Sequence, residues 1–125
     1  MLIALLLSFA WALYWLYQDA TWTTKGIQAG IAVEGNTLIT RIAGTCKPAL
    51  WQLLLIDGSL RIALLGVGFI PSDTPAFEAA AIGMLLVAGI KNIQGSREWK
   101  WMFNHPGQTI PEANTVWQKL LGFWG

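Results

Sequence analysis

Residues 49–70 read ALWQLLLIDGSLRIALLGVGFI, framed by Pro48 and Pro71. Wound as a helix, this stretch extends about 33 Å, enough to cross a hydrocarbon core about 30 Å thick. Pro48 suits a first helical turn and Pro71 stops the far end. Asp57 and Arg61 stand near the middle, four residues apart, so they share a helix face and can pair. Either charge alone among apolar side chains would be costly, so pairing is close to obligatory. The spanning reading, with one internal ion pair, decides the rest of the chain.

Two further stretches read the same way. Residues 1–18, MLIALLLSFAWALYWLYQ, carry no charged side chain and meet the usual length of a spanning helix. Ala10-Trp11-Ala12 mimics a leader-peptide cleavage site. However, no Lys or Arg precedes the apolar run, which continues into Leu13, Tyr14, Trp15, Leu16 and Tyr17, so retention is expected. The apolar stretch 26–33 continues the helical pattern, so helix one is expected to extend toward residue 32. The third span covers 75–94, with Thr74 as its N-cap, Glu78 facing the helix dipole and Lys91 snorkelling near the far end. The link 71–75, PSDTP, allows only a tight hairpin, so spans two and three should be antiparallel neighbours.

Composition agrees. Charged residues make up 12% of the chain, about half the share of a soluble domain. With 54% apolar residues, eight tryptophans and a net charge of +1, disorder, a basic nucleic-acid binder and an acidic tail protein are excluded as classes. The Lys and Arg residues outside span two fall on one side of the three crossings. Lys25, Arg41 and Lys47 lie between spans one and two, and Lys91, Arg97, Lys100 and Lys119 lie at or beyond the end of span three. The N-terminal flank and the 71–75 link have none. The bias predicts a cell (inner) membrane protein with its N-terminus outside and its C-terminus in the cytoplasm.

Glu34-Gly35-Asn36 breaks the chain after span one, and Asn36 or Thr37 can cap a short helix presenting Leu38, Ile39 and Ile42 and ended by Gly44. In the tail, Thr109-Ile110-Pro111-Glu112 forms a capping box. It opens a helix over about 110–121, with Ala113, Val116, Trp117, Leu120, Leu121 and Trp124 on one face. Upstream, Trp99, Trp101, Met102 and Phe103 stand among Arg97, Glu98 and Lys100, the pattern of an interfacial belt. The tail helix can pack on the ends of the spans, lie in the headgroup plane or dock a partner. Trp99, Trp101, Trp117 and Trp124 are the expected interfacial anchors. The expected architecture is therefore all-α and polytopic. A three-helix transmembrane domain over 1–95 has a short helix between spans one and two. An aromatic tail over 96–125 carries a C-terminal amphipathic interfacial helix.

Polar residues at membrane depth are the functional pointers in such a chain. Asp57 and Arg61 can form a structural salt bridge or line a polar path. Asp19 and Thr23 lie one turn apart at the inner end of span one, with Gly26-x-x-x-Gly30 beyond, a spacing that permits close helix approach. Glu34, Asn36 and Asn92 fall at the same level under the expected topology. Asp19, Thr23, Glu34, Asn36 and Asn92 can make a hydrogen-bonded clasp between helix ends or an oxygen-rich site suited to a hard cation. The pattern of Asp19 with Thr23 and Thr24, then Glu34-x-Asn36, then Asn92 resembles a family of small three-helix integral membrane proteins of bacteria and phages, without an assigned activity. Thr37 stands where that family has Pro. The resemblance covers about 1–95 and implies the fold and the weight of these polar positions, but no reaction.

The motifs of catalysis are missing. His105 is the single histidine and Cys46 the single cysteine, so zinc-ligand spacing and a disulfide framework within the chain are both absent. No nucleophile elbow, Walker loop or dinucleotide fingerprint occurs. Asp57-Gly58-Ser59-Leu60-Arg61 fails the Asp-Gly-x-x-Ala-Arg core of membrane CDP-alcohol phosphotransferases, because its arginine comes one residue early and the downstream aspartate pair is missing. The sequence leads to a non-enzymatic membrane protein without cofactor or metal. Its partners would be the lipid bilayer and either copies of itself or other membrane subunits, and not nucleic acid. A phage-type holin, a small ion or proton conduit and a soluble helical core are the competing expectations.

Overall fold

The computed structural model describes residues 1–31, 33–34, 37–108, 115, 117 and 120, with Thr37 described by its backbone only. Helix α1 covers Leu2–Gln28, α2 Thr37–Ala43, α3 Leu50–Gly68 and α4 Ala76–Asn104, and no strand occurs among the described residues. Three of these helices, α1, α3 and α4, are long and apolar enough to cross a membrane.

The buried residues of α1 are Leu5, Ser8, Ala12, Leu16, Ala20, Thr23, Gly26 and Ile27. They recur every three or four positions and so form one stripe. On α4 the matching stripe includes Ala81, Leu85, Gly89, Asn92 and Ser96. Small residues on both stripes let the backbones approach closely. A Cβ on Gly89 would overlap the indole of Trp11, and one on Gly26 would overlap Trp99. Contacts advance together along both chains, from Trp11 on Gly89 to Gly26 on Trp99, so α1 and α4 run parallel. Helix α3 returns between them, with Gly68 against Leu5 and Ala81. The expected antiparallel pairing of spans two and three is thus observed.

By their residue counts α1 and α4 are about 40 and 43 Å long, while α3 is about 28 Å. The two longer helices project as a pair beyond the start of α3. The short α2 fills the step below them. Its Ile39 packs with Ala20 and Leu53, while Leu38 and Ile42 face outward. Gly44 ends α2 at φ +75°, as the sequence suggests. At the hairpin end, Leu5, Ala12, Ala81 and Leu85 form a second apolar cluster.

Three expectations about boundaries need correction. Helix α1 stops at Gln28 rather than running toward 32. Gly30 adopts φ +72°, its N–H donates to the Ile27 carbonyl, and the Ile31 N–H donates to the Gly26 carbonyl, both at 3.0 Å. This is a Schellman cap, and it makes Gly30 a stop signal rather than a packing glycine. Helix α4 continues through Gly95 to Asn104, about three turns past the expected end. The first part of the aromatic tail therefore belongs to α4, one of the three helices long and apolar enough to cross a membrane. Thr74 does not cap α4; Pro75 takes that place without a side-chain bond, and the Thr74 N–H donates to Ser72 Oγ at 3.2 Å. The expected tail helix over 110–121 lies almost wholly outside the described residues.

The surface is apolar along the spans. Ile3, Leu7, Trp51, Leu55 and Ile62 are each more than 60% exposed, and α3 buries only Leu53, Arg61 and Gly68. In water this would be an aggregation-prone surface, whereas a bilayer supplies its solvent. Three hydroxyls on these helices bond back to their own helix, Ser8 Oγ to the Ala4 carbonyl, Thr24 Oγ1 to that of Ala20 and Ser59 Oγ to that of Leu55, while Thr21 Oγ1 is buried without a hydrogen-bond partner. Such bonds satisfy polar atoms where water is absent. Gly89→Val should lower stability in detergent by about 1–3 kcal/mol through overpacking against Trp11, read by SDS or thermal unfolding. Gly83→Val, where nothing lies within 4 Å of the new Cβ, should change it by less than about 0.5 kcal/mol.

Candidate functional site

Between the two apolar clusters lies a polar layer. Side chains in a helix lean toward its N-terminus. Because α3 runs opposite to α1 and α4, Arg61 leans toward the α2 end while Asp19 and Asn92 lean toward the hairpin end. They meet at one level. Asn92 Nδ2 donates to Asp19 Oδ2 at 2.9 Å, and Arg61 Nη2 donates to Asn92 Oδ1 at 2.6 Å. Thr23 Oγ1 donates to Asp19 Oδ1 at 3.3 Å. Arg61 Nη1 donates to the Asp57 carbonyl at 3.3 Å and lies 3.8 Å from Asp57 Oδ1. One chain of contacts thus links α1, α4 and α3.

Asn92 is suited to the centre of this chain. Its amide carries a donor and an acceptor on one short side chain, so it can serve a carboxylate and a guanidinium together. An aspartate there would repel Asp19, and a leucine would leave both neighbours short of a partner. Arg61 is 5% exposed and stays charged, so its acceptors must come from the protein. Gly95 sits where the chain of α4 passes Asp19: a Cβ there would lie 2.6 Å from Asp19 Oδ1. Its lack of a side chain is what admits the carboxylate.

The layer forms the floor of a cleft of about 370 Å³. Glu34 and Lys91 stand in its lining, with Leu16, Ile39, Leu53 and Trp99 among its apolar walls. Arg61 Nε has no hydrogen-bond partner. Among the described residues no three His, Cys, Asp or Glu side chains converge as metal ligands. The Asn92 oxygen that a hard cation would use already accepts from the guanidinium.

Two expected features therefore fuse into one. The Asp57–Arg61 pair is present but long, and the expected clasp brings Asp19, Thr23 and Asn92 together. Glu34 lines the same cleft, and its N–H donates to the Cys46 carbonyl at 2.9 Å. Asn36 lies outside the described residues. The link that sequence reading missed is Arg61–Asn92. Counting from the hairpin puts Arg61 ten residues before Pro71 and Asn92 seventeen after Pro75, which suggests different depths. The length of the arginine side chain and the opposite lean of the two helices close that gap.

The expected interfacial anchors divide. Trp99 packs over Gly26. Trp101 is 8% exposed and stacks on His105 at 4.4 Å and 14°, so it faces protein. The continuation of α4 turns both rings toward neighbouring parts of the protein. Trp117 is exposed, and Trp124 lies outside the described residues. Leu120 returns the tail to the spans, its carbonyl accepting from Gln94 Nε2 at 2.5 Å. Comparison with family models, curated proteins and solved structures finds no match to this chain.

Replacing Asp19 separates the roles of charge and hydrogen bonding. Asp19→Leu should cost about 2–4 kcal/mol by stranding Asn92 Nδ2 and removing a negative charge near Arg61. Asp19→Asn, which keeps an acceptor, should cost about 1 kcal/mol. Equilibrium unfolding in mixed detergent micelles measures both.

Proposed function

We propose that this chain is a small non-enzymatic membrane protein that acts by association, with copies of itself or as an accessory subunit of a membrane complex. The observation that carries the reading is the outward face of α3. Trp51, Leu55, Ile62 and Gly66 stand exposed along it, and at Gly58 and Gly66 no heavy atom lies within 4 Å of a would-be Cβ. Small residues between larger apolar ones are the surface on which membrane helices pack closely. The polar layer supports the same reading, because its groups are largely engaged with one another. In this account the layer is a clasp that fixes the angle at which α3 presents its face.

The reading includes residence in the cell (inner) membrane with the N-terminus outside and the C-terminus in the cytoplasm, supported by the one-sided distribution of Lys and Arg. The resemblance to the small three-helix family of bacteria and phages belongs to the proposal on the same terms. A conduit built on Asp57 and Arg61 has less support. Leu5, Ala12, Ala81 and Leu85 fill the hairpin half of the bundle with side chains that are fully buried, which leaves a single copy no polar route past Arg61. A lesion-forming holin draws support from span number and orientation alone.

The test is a cross-link across the α3 face. Cys46 is exposed and is first replaced by Ser. In that background Ser59→Cys should form a disulfide dimer in membranes under mild oxidation, or a heterologous adduct if the partner is another subunit. Adding Gly66→Leu should lower the yield about fivefold, matching the roughly 1 kcal/mol scale of a helix contact in lipid. A purely monomeric species on blue-native electrophoresis, with no adduct and no copurifying protein, would sink the reading.

A further inference from the structure

The short helix α2 and the residues flanking it present an apolar patch on the outside of the bundle. Ile39 is buried and packs with Ala20 of α1 and Leu53 of α3. Leu38 and Ile42 are 63% and 59% exposed, and Val33 before the helix and Trp51 after it are exposed as well. At about 100° per residue, Leu38 and Ile42 share one flank of α2, while Arg41 falls on the face opposite Ile39. The patch is held in place. Gln52 Nε2 donates to the Ala43 carbonyl at 3.5 Å, the Glu34 N–H donates to the Cys46 carbonyl at 2.9 Å, and Pro48 in the link to α3 is fully buried.

The charge around the patch has one sign. Arg41 and Lys47 are exposed, and among the described residues neither pairs with a carboxylate. Glu34 and Asp57, the acids nearest in sequence, line the polar cleft instead. Depth says what covers such a surface. Leu2 borders one pocket with Pro71 and Thr74, so α1 starts at the level of the hairpin. From there Ala20 lies about 27 Å along α1, and Leu53 lies about 23 Å along α3 from Gly68. Ile39 rests on both. In a hydrocarbon core about 30 Å thick, that is the level where acyl chains meet headgroups. A soluble acidic partner would match the cations, but it would need α2 to stand clear of the bilayer, and the packing of Ile39 holds it at this depth.

We propose that α2 is an interfacial helix docked on the anionic phospholipids of its leaflet. Leu38 and Ile42 enter the upper acyl layer beside Trp51, and Arg41 and Lys47 take lipid phosphates. An apolar flank at the acyl boundary with cations beside it is the surface that anionic lipid recognises. The proposal rests on the membrane-spanning reading and is independent of self-association.

Site-directed fluorescence on the full-length protein tests it. Cys46 is replaced by Ser, and Ile42→Cys carries an aminonaphthalene label in vesicles of equimolar phosphatidylglycerol and phosphatidylcholine. The label should be quenched by phospholipids bearing a nitroxide high on the acyl chain and spared by aqueous acrylamide. Quenching by the nitroxide phosphatidylglycerol should exceed that by the nitroxide phosphatidylcholine about fivefold, the factor for one basic residue at an anionic surface. The excess should vanish in the Arg41→Gln, Lys47→Gln double variant and survive in Arg41→Lys, Lys47→Arg. Variants are compared only where circular dichroism matches the parent. Acrylamide quenching without lipid quenching puts α2 in water, and protection from both puts it under protein, a second copy included. Either result overturns the proposal, as does equal quenching by the two lipids. Carbonate extraction of the parent from its membranes separates the two levels. Release into the supernatant overturns the spanning reading itself, while a retained protein that fails the quenching test overturns the α2 site alone.

Discussion

A guanidinium buried among three long apolar helices must find its acceptors within the protein, and the fold is arranged around that requirement. Arg61 finds them at Asn92 Oδ1 and at the carbonyl of Asp57, one turn back on its own helix. Asn92 in turn holds Asp19. The result is a bond chain across α3, α4 and α1 in a region where apolar packing cannot distinguish one helix from another, because lipid tails are as apolar as leucine. Hydrogen bonds of this kind give the bundle a register. Sliding α3 along its axis by one turn would part Arg61 from Asn92 at a cost that no apolar contact offsets.

The rest of the packing serves this layer. Gly95 makes room for the Asp19 carboxylate, Gly89 for Trp11 and Gly26 for Trp99, so α1 and α4 close on each other above and below the polar contacts. Leu5 and Leu85 seal the hairpin half, while Ile39 of α2 closes part of the other half against Ala20 and Leu53. Two long parallel helices and one shorter return helix leave a step on one side. Helix α2 fills it in part, and the cleft lined by Arg61 and Ile39 lies between. Helix α3 fully buries only Leu53, Arg61 and Gly68, rests half-buried Leu64, Leu65 and Val67 on the hairpin cluster, and leaves Trp51, Leu55 and Ile62 exposed along its outer face.

Much of this was legible in the sequence. Uninterrupted apolar runs with proline at their borders place three spans, and the short 71–75 link fixes the pairing of the last two. Asp57 with Arg61, and Asp19 with Thr23 and Asn92, stand out because ionisable groups are rare in such helices. Their union was not legible, since it depends on side-chain lean and on the reach of one arginine, neither of which residue counting supplies. The ends of α1 and α4 were misjudged for local reasons. Gly30 stops one helix by adopting a left-handed conformation, whereas Gly95 lets the other continue because a carboxylate fills the space beside it. A glycine reads the same in both sequences, and only its neighbours in space tell the two roles apart. The aromatic run 99–103 read as an interfacial belt, yet as part of α4 it turns Trp99 and Trp101 toward protein.

The Arg61–Asn92 bond is the contact on which this account depends, and a double-mutant cycle measures it directly. Arg61→Ala, Asn92→Ala and the double variant would be unfolded reversibly in mixed micelles beside the parent protein. The account predicts a coupling free energy of about 1.5 kcal/mol or more, near the upper end for polar contacts between membrane helices. Single costs that add to within about 0.3 kcal/mol, as for independent sites, would contradict it.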